Sequence, residues 1–267
     1  MQPDDAGWAV PEHRVEAFAP RSTRYAVAIP VIDEGERIIR QLEAMRRPPE
    51  VPDVIICDGG SRDGSTEPRR LAALGVRALL TKTGPGRLAA QERMGFAFAL
   101  REGYGGVIRM DGNAKDDPAG IAALVAALDD GCDFVQGSRF VPGGVAERTP
   151  SLRLLAIRAI HAPVISLLAG ERFTDTTNAF RGHSRRYLTH PEVQPFRDVF
   201  QGYELLAYLS VRASQLGLRT CEVPVARRYP PGRTPTKIRG LRGSLELLDV
   251  LRRLARREFH PSTAYFG

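Results

Sequence analysis

Residues 107–118 read VIRMDGNAKDDP, and this stretch decides how we interpret the rest of the chain. Residues 107–110 are mostly apolar, which predicts a short buried strand, and the following Asp-Gly-Asn ends it. Pro118 suits a first helical turn and precedes residues 121–128, an apolar segment with helical spacing. Oxygen-bearing side chains therefore follow the carboxyl end of a strand, which is where ligands bind in open α/β sheets. The alternative is a polar loop that only caps the helix.

On both sides of this stretch, strand and helix patterns alternate. Residues 25–31, 53–57 and 76–80 are predicted strands, and residues 34–47 and 88–101 are predicted helices. Such alternation implies right-handed crossovers and an α/β fold with a mostly parallel sheet flanked by helices.

Composition limits the kinds of partner. The chain has 267 residues, 43% of them hydrophobic, so it can bury a substantial core. A net charge of +7 favours anionic partners such as nucleotides, phosphates and acidic lipid surfaces. Nucleic acid is disfavoured, because the arginines are not interleaved with stacking aromatics.

The cysteines and the N-terminal segment suggest a cytoplasmic protein. Cys57, Cys132 and Cys221 are far apart in sequence and lack zinc spacing, so we expect reduced thiols. Residues 1–24 are polar and resemble neither a signal peptide nor a transit peptide, and we expect a flexible arm there. No uninterrupted apolar run reaches the roughly 18 residues of a membrane span. Peripheral contact with a membrane is left open.

A second polar turn, DGGSRDGS at residues 58–65, follows the predicted strand 53–57. It is neither a dinucleotide fingerprint nor a phosphate-binding P-loop. Its carboxylates would repel a pyrophosphate, but they can accept hydrogen bonds from ribose hydroxyls or a base. The alternative is an ordinary Asp/Gly turn.

Six short motifs follow one another along the chain. They are IPVIDE at 29–34, DGGSRDG at 58–64, MDGNAKDDP at 110–118, GSRFVPGG at 137–144, DTTNAFR at 175–181 and QGYE at 201–204. In this order they resemble the motifs of family 2 glycosyltransferases, and the fourth is typical of the dolichol-phosphate mannose synthase branch. The resemblance implies a GT-A fold and inverting transfer of a sugar from a nucleoside-diphosphate sugar.

The resemblance also implies a nucleoside pocket. Pro30, Asp33 and Glu34 match the first motif, which lines that pocket, although Asp33 stands where the family usually has Asn. Asp58 matches the first acid of the second motif, a base or ribose contact, and Gly59 replaces the second acid.

Three further positions match the family around the diphosphate and the acceptor. Arg87 falls where a Lys or Arg often approaches the nucleotide, and Asp111 matches the first acid of the Asp-x-Asp motif, where metal and diphosphate sit. Arg139 matches the Gly-Ser-Arg motif near the acceptor side.

Two departures bear on the metal. Asn113 replaces the second aspartate of the motif, and Lys115 stands where Gln is usual. The resemblance implies Mg²⁺ or Mn²⁺ held by Asp111 and Asn113, but an amide supplies no charge and an ammonium repels a cation. Lys115 can instead stabilise the leaving diphosphate, or it can point to solvent.

The C-terminal part is basic. Residues 25–225 are the predicted glycosyltransferase domain, and residues 226–267 a basic loop followed by an amphipathic helix at 245–257. The loop, residues 227–239, carries Arg227, Arg228 and Lys237, which we expect to bind donor phosphates as a mobile lid. A solvated basic face is the alternative.

Residues 152–169 are almost wholly apolar, and we expect them to be buried against the sheet rather than at a partner or membrane surface. Within them, His161 is expected to be a packed histidine.

The leading hypothesis is therefore an inverting glycosyltransferase that binds a nucleoside-diphosphate sugar. A polyprenyl phosphate acceptor needs no base, whereas a small-molecule hydroxyl or amine needs a carboxylate. Asp117, Asp175 and Glu204 are the candidate bases. The competing hypotheses are a nucleotidyltransferase and a nucleotide-sugar binding protein with weak or no catalysis.

Overall fold

The computed structural model describes residues 7–46, 51–230 and 240–261. Within these ranges the strands are β1 His13–Ala17, β2 Tyr25–Val31, β3 Asp53–Asp58, β4 Val76–Lys82, β5 Gly106–Arg109, β6 Phe134–Ser138, β7 Val145–Glu147, β8 Arg181–Ser184, β9 Thr220–Pro224 and β10 Ala226–Arg228. Eight of them form one sheet in the order β1-β4-β3-β2-β5-β8-β6-β9, and β10 pairs with β7 in a small second sheet.

Helices cover both faces of the large sheet. They are α1 Glu36–Met45, α2 Pro68–Ala73, α3 Leu88–Arg101, α4 Gly120–Asp129, α5 Ser151–Ala156, α6 Ala162–Ala169, α7 Arg185–Leu188, α8 Glu204–Gln215 and α9 Gly240–Ala255, with a π-helical segment, Ile157–His161, between α5 and α6. One apolar core lies under α3, α6, α8 and α9, and the other lies under α1, α2 and α4. Every residue of β2 is buried, as expected for a central parallel strand covered on both faces.

Strands that follow β2 in sequence are added on both of its sides, first on one and then on the other. β3 and β4 extend the sheet on one side of β2, and β5 pairs with its other side, all four strands being parallel. The loops after β2 and β5 therefore leave the same edge in opposite directions and open a crevice between them. The polar stretch that begins at Asp111 lies at this crevice.

The N-terminal segment differs from the expected flexible arm. β1 pairs antiparallel with β4 along its whole length, and the ring of Trp8 stacks on Phe196 with 3.9 Å between centroids. The sequence of β1, HRVEA, gives little apolar signal because this edge strand is mostly exposed and is held by backbone pairing.

Two of the three cysteines are bonded, contrary to the expectation of reduced thiols. Cys132 and Cys221 form a disulfide across a sequence separation of 89 residues. Their distance in sequence was misleading, because β6 and β9 are parallel neighbours and bring the two positions together. Cys57 is buried with a free thiol.

The prediction that residues 152–169 are buried is wrong. The helical stretch Ser151–Ala169 is long and apolar enough to cross a membrane by length and composition, yet only 22% of it is buried. Ile157, Ile165 and Ala169 face the core, whereas Leu152 and Leu167 are 78% and 81% exposed. These leucines, together with Leu155 and Ile160, form what we call the apolar ridge.

The described residues after Pro224 pack against the rest of the protein more closely than predicted. Arg227 and Arg228 belong to β10 rather than to a loop, and the rest of the expected lid, residues 231–239 with Lys237, lies outside the described residues. The predicted amphipathic helix is present as α9, which begins earlier than expected and buries Val250, Leu251 and Leu254 in the core.

Candidate active site

Asp111 lies just beyond β5, at the sheet edge beside the end of β2. One of its carboxylate oxygens accepts a hydrogen bond from Arg109, and the other accepts one from Arg227 at 3.1 Å. Burial opposes ionisation of this carboxyl, but the two guanidinium groups outweigh burial and hold the pKa of Asp111 well below its usual range. Asp111 is therefore an ionised carboxylate already paired with two cations.

A buried carboxylate, that of Glu92, holds Arg109 in place. The Nε of Arg109 donates to Glu92 Oε1 at 2.9 Å, and both side chains are almost fully buried. Burial raises the pKa of Glu92 to about 7 even though Arg109 opposes the shift. The pair links α3 to the end of β5 and sets the direction from which Arg109 reaches Asp111.

The backbone of the Asp111 loop is held by one amide side chain on α1. Gln41 donates to the carbonyl of Asp111 and accepts from the backbone N–H of Ala114, both at 2.8 Å. Ala114 has a φ of 55°, a conformation that costs energy for a residue with a Cβ. The two hydrogen bonds of Gln41 stabilise this turn.

Arg227 reaches the loop from β10 and bridges two carboxylates. Besides Asp111, its guanidinium donates to Asp116, whose side chain is fully buried. Asp116 also forms an antiparallel bridge with Arg227 through the backbone, and the N–H of Asp117 bonds to the carbonyl of Ala226 at 2.9 Å. The small strand β10 thus carries Arg227 into the predicted diphosphate site.

Lys115 points inward rather than to solvent. It is 8% exposed, and its ammonium lies 5.1 Å from the ring centroid of Tyr229. Burial lowers the pKa of Lys115, and the nearby Arg227 lowers it further. Arg153 also stands over the Tyr229 ring and donates to its hydroxyl at 2.9 Å, so three cationic side chains surround this tyrosine.

The predicted nucleoside loops meet each other at the ends of β2 and β3. The backbone N–H of Asp33 donates to Ser61, and Asp33 Oδ1 accepts from the N–H of Arg62 at 2.8 Å. Glu34 is buried and pairs with Arg37 at 2.9 Å. The ends of β2 and β3, with Pro30 and Asp58, and the loop residues Asp33 and Glu34 therefore lie together next to Asp111.

Asp58 supports its own turn. Its Oδ1 accepts from the N–H and the hydroxyl of Ser61, at 2.9 and 2.6 Å. The missing second acid of this motif also has a structural reason: a Cβ at Gly59 would lie 2.9 Å from Gln91 Nε2, which is held by the carbonyls of Val31 and Cys57. A side chain at position 59 would displace that amide.

Arg139 and Asp175 form a buried bidentate pair. Arg139 Nε and Nη2 donate to the two oxygens of Asp175 at 2.6 and 2.8 Å. Burial opposes ionisation, but these bonds keep the pKa of Asp175 below its usual value. Nearby, His161 Nδ1 lies 2.6 Å from the hydroxyl of Thr176, and burial lowers the pKa of His161 to about 4, as befits a packed, neutral histidine.

The other two candidate bases are also engaged. Asp117 pairs with Arg228 at 2.8 Å. Glu204 accepts from the backbone N–H of Gly202 and lines a cleft with Arg87, Tyr203 and the side of α9. Arg87 therefore lies beside Glu204 and Tyr203, whereas the nucleoside loops lie at the ends of β2 and β3.

The expected metal ligands do not fit a divalent cation. Both oxygens of Asp111 face arginines, and the amide nitrogen of Asn113 points at Asp111, 3.2 Å away. Asp116 keeps one oxygen without a hydrogen-bond partner among the described residues, so Mg²⁺ here would depend on waters and substrate phosphates for most of its roughly six ligands. Nowhere in the described ranges do three His, Cys, Asp or Glu side chains cluster to hold a metal.

Four residues of this site escaped sequence reasoning: Gln41, Glu92, Arg109 and Asp116. Glu92 gave no signal, because it stands between Gln91 and Arg93 in α3, but Arg109 did, as a charged residue in an otherwise apolar strand. Such a residue is expected to be paired if it is buried.

Two relatives are similar over most of the chain. Polyprenol monophosphomannose synthase of Mycolicibacterium smegmatis is 27% identical over 205 residues, which is 76% of this chain and 76% of that protein. Undecaprenyl-phosphate mannosyltransferase of Micrococcus luteus is also 27% identical over 205 residues, 76% of this chain and 82% of that protein. No protein-family model matches the chain.

The fold is similar to that of solved glycosyltransferase structures. Glucosyl-3-phosphoglycerate synthase from Mycobacterium tuberculosis with UDP matches with a TM-score of 0.60 at 17% identity, covering 97% of this chain and 83% of that one. The same enzyme with Mn²⁺, UDP and glucosyl-3-phosphoglycerate matches with a TM-score of 0.57, also at 17% identity and over the same shares. The predicted GT-A fold is confirmed, and the comparisons together indicate a glycosyltransferase, as predicted.

Proposed function

We propose that this protein is an inverting glycosyltransferase of the dolichol-phosphate mannose synthase type. It moves a hexose, mannose in the first instance, from a nucleoside-diphosphate sugar to a polyprenyl phosphate. One observation carries the proposal: the acidic loops after β2, β3 and β5 and the basic strand β10 meet at one edge of the sheet. The names of the two relatives support the choice of sugar and acceptor.

The donor is assigned to this edge in two parts. The ends of β2 and β3, with Pro30, Asp33, Glu34 and Asp58, receive the nucleoside. Their carboxylates accept hydrogen bonds within the protein, and carboxylate oxygens can also accept from ribose hydroxyls or a base. The diphosphate lies beside the loop of Asp111, where cationic side chains stabilise its developing charge. These cationic side chains are Lys115, Arg227 and Arg228, with Arg87 on the neighbouring cleft.

The state of the candidate bases favours a phosphate acceptor. Asp175 is locked to Arg139, Asp117 pairs with Arg228, and Glu204 bonds to a backbone N–H. A phosphate oxygen is already anionic, so it can attack the anomeric carbon without a base. The reaction then needs only positioning of the two substrates and stabilisation of the leaving diphosphate.

The apolar ridge supports a lipid acceptor at a membrane surface. Leu152, Leu155, Ile160 and Leu167 are exposed along Ser151–Ala169, and the basic residue Arg158 between them is also exposed. Exposed apolar side chains with neighbouring cations are typical of helices that lie in the interface of an anionic membrane. We propose peripheral binding through this ridge, which delivers the polyprenyl phosphate to the site.

The test is transfer of labelled sugar from a panel of nucleoside-diphosphate hexoses to undecaprenyl phosphate in detergent micelles. We expect a labelled lipid product that Asp111→Asn reduces by about a hundredfold. The matched control is Asp130→Asn, which alters an exposed aspartate paired with Arg219, a residue outside the site. If label appears only in a water-soluble product, with phosphoglycerate or simple alcohols as acceptors, the acceptor is a small molecule and the proposed lipid acceptor is wrong. Absence of calorimetric binding of UDP, GDP, CDP and dTDP at millimolar concentration would overturn the enzyme class.

A further inference from the structure

Arg227 bridges two carboxylates of the loop in which the metal ligands were expected. Its Nη2 lies 3.1 Å from Asp111 Oδ2, and its Nη1 donates to Asp116. Arg227 is 8% exposed, and β10 pins its backbone to the Asp111 loop. The guanidinium is thus a fixed charge, present before any ligand arrives.

Further positive charge is gathered around the same point. Arg109 neutralises Asp111 from the protein interior, so Arg227 does not have to compensate that carboxylate alone. Lys115 and Arg153 stand over the ring of Tyr229, and the guanidinium of Arg227 lies 5.8 Å from the same ring centroid. A diphosphate group entering beside Asp111 would meet Arg227 and Lys115 together, and its negative charge would increase as the sugar leaves.

The same positive charges disfavour binding of a divalent cation at this site. A metal beside Asp111 would have to displace the bond from Arg227 and would lie close to that guanidinium, with Lys115 also nearby. Asn113, where the second aspartate of the motif would stand, adds no compensating charge. The two departures from the motif and the bridging arginine therefore act in the same direction.

We propose that Arg227, assisted by Lys115, replaces the divalent metal in stabilising the leaving nucleoside diphosphate, so that sugar transfer is metal-independent. In this step the bond between the anomeric carbon and the β-phosphate oxygen breaks, and its electron pair stays on that oxygen. An oxygen of the acceptor phosphate forms the new bond to the anomeric carbon, and no proton is transferred. This inference rests on the proposed function.

The first experiment uses the wild-type protein and needs no variant. GDP and UDP are titrated calorimetrically in EDTA and again with excess Mn²⁺. We expect the Kd of the bound nucleotide to differ by less than threefold between the two conditions. Binding that is at least tenfold weaker in EDTA would overturn the inference while leaving the proposed function intact. No binding in either condition would overturn both.

The second experiment assigns the charge to Arg227. Arg227→Met should weaken nucleoside diphosphate binding in EDTA by about a hundredfold, and Mn²⁺ should restore part of the loss because Asp111 and Asp116 are freed. Arg219→Met is the matched control, since it also removes an arginine paired with an aspartate, but at an exposed site. If Arg227→Met does not fold by circular dichroism, Arg227→Lys is used, which keeps one cation but cannot bridge both carboxylates. Unchanged binding in either folded variant would overturn the assignment.

A metal-gain variant supplies an independent readout. Asn113→Asp combined with Lys115→Gln adds one negative charge and removes one positive charge beside Asp111. We expect its Mn²⁺ affinity, measured by electron paramagnetic resonance without nucleotide, to exceed that of the wild type at least tenfold. Tight Mn²⁺ binding by the wild-type protein itself would overturn the inference.

Discussion

At the scale of single residues, Asp175 shows how a catalytic candidate can be a structural one. Both of its oxygens bond to Arg139, and the carboxylate is 0% exposed. We expect Asp175→Asn to lower the free energy of unfolding by about 3 kcal/mol, because a buried guanidinium loses its partner. Turnover per folded molecule should fall less than tenfold, whereas losing a general base costs about 10²–10⁴. Urea unfolding and sugar transfer measure the two effects separately.

The control for this prediction replaces both partners. Arg139→Met combined with Asp175→Leu should recover part of the lost stability, since it leaves no unpaired charge. A variant Asp175→Asn with normal stability and a thousandfold lower turnover would instead give Asp175 a direct chemical role.

His183 is a second residue whose environment predicts a measurable effect. It lies in the core beside Phe96 and Phe134, and neither ring nitrogen has a hydrogen-bond partner among the described residues. Burial, with Arg181 and Arg109 nearby, lowers the pKa of His183 to about 3. The unfolded chain binds this proton below a pH of about 6.5 and the native protein does not, so stability falls as pH decreases through that range.

Replacing His183 by Phe should remove this pH dependence. By linkage, the histidine costs the native protein about 2 kcal/mol at pH 5 relative to pH 7 or above. We therefore expect the loss of unfolding free energy between pH 7 and pH 5 to be smaller by about that amount in His183→Phe. Chemical denaturation at the two pH values measures this difference. Equal losses of unfolding free energy in the variant and the wild type would show that His183 does not titrate in this way.

At the residue level, the sequence predicts where a side chain lies along a strand or loop, but it does not predict which distant side chain pairs with it. Asp111 could be found because it follows a strand and belongs to a recognisable motif. Its two arginine partners are Arg109 and Arg227. Arg227 is far away in sequence and comes close to Asp111 only in the folded protein. No local pattern shows that Asp111 is already paired with two arginines, and the expected binding of Mg²⁺ or Mn²⁺ did not take this pairing into account.

At the scale of elements, the apolar ridge on Ser151–Ala169 predicts binding to membranes. Leu152→Ser and Leu167→Ser should each weaken sedimentation with anionic vesicles by about tenfold, because each removes an apolar side chain that would leave water. Val15→Ser is the control, as Val15 is similarly apolar and 47% exposed, but lies on the edge strand β1. Equal vesicle binding by all three variants and the wild type would contradict a docking role for the ridge.

Burial could not be predicted for this element because composition alone does not say what covers a helix. The apolar helices α4 and α6 look alike in sequence, yet α4 packs against β5, β6, β8 and β9, while Ser151–Ala169 leaves most of its length uncovered. A similar limit applied to β10, where Pro, Gly and Arg near residue 230 indicated a loop although Ala226–Arg228 is paired on two sides.

At the scale of the whole molecule, the disulfide joins the two ends of a long chain segment. Cys132 and Cys221 are 89 residues apart, and closing such a loop restricts the unfolded chain. We expect Cys221→Ser to lower the free energy of unfolding by about 2–4 kcal/mol in an oxidising buffer. A reductant should lower wild-type stability to that of the variant and leave the variant unchanged. Three alkylatable thiols in the unfolded, unreduced protein would show that the bond is not formed.

The parallel direction of the central strands could be predicted from sequence, but the order of the strands in the sheet could not. Alternating strands and helices up to residue 110 predicted parallel pairing of β2, β3, β4 and β5, which the structure has. The antiparallel β8, inserted between β5 and β6, follows a long irregular segment and carries Arg181 and His183 in place of an apolar run. Its position is fixed by neighbours rather than by its own composition.

The bridge from Arg227 to the acidic loop has a consequence for synthesis on the ribosome. The arginine follows Asp111 by 116 residues and Asp116 by 111 residues. At typical translation rates of about 5–20 residues per second, Arg227 is synthesised roughly ten seconds after the two carboxylates. Since an unpaired buried charge is strongly unfavourable, the loop must stay hydrated during that interval. A chain released before β10 would therefore contain every nucleotide-sugar motif through QGYE and still lack a folded site.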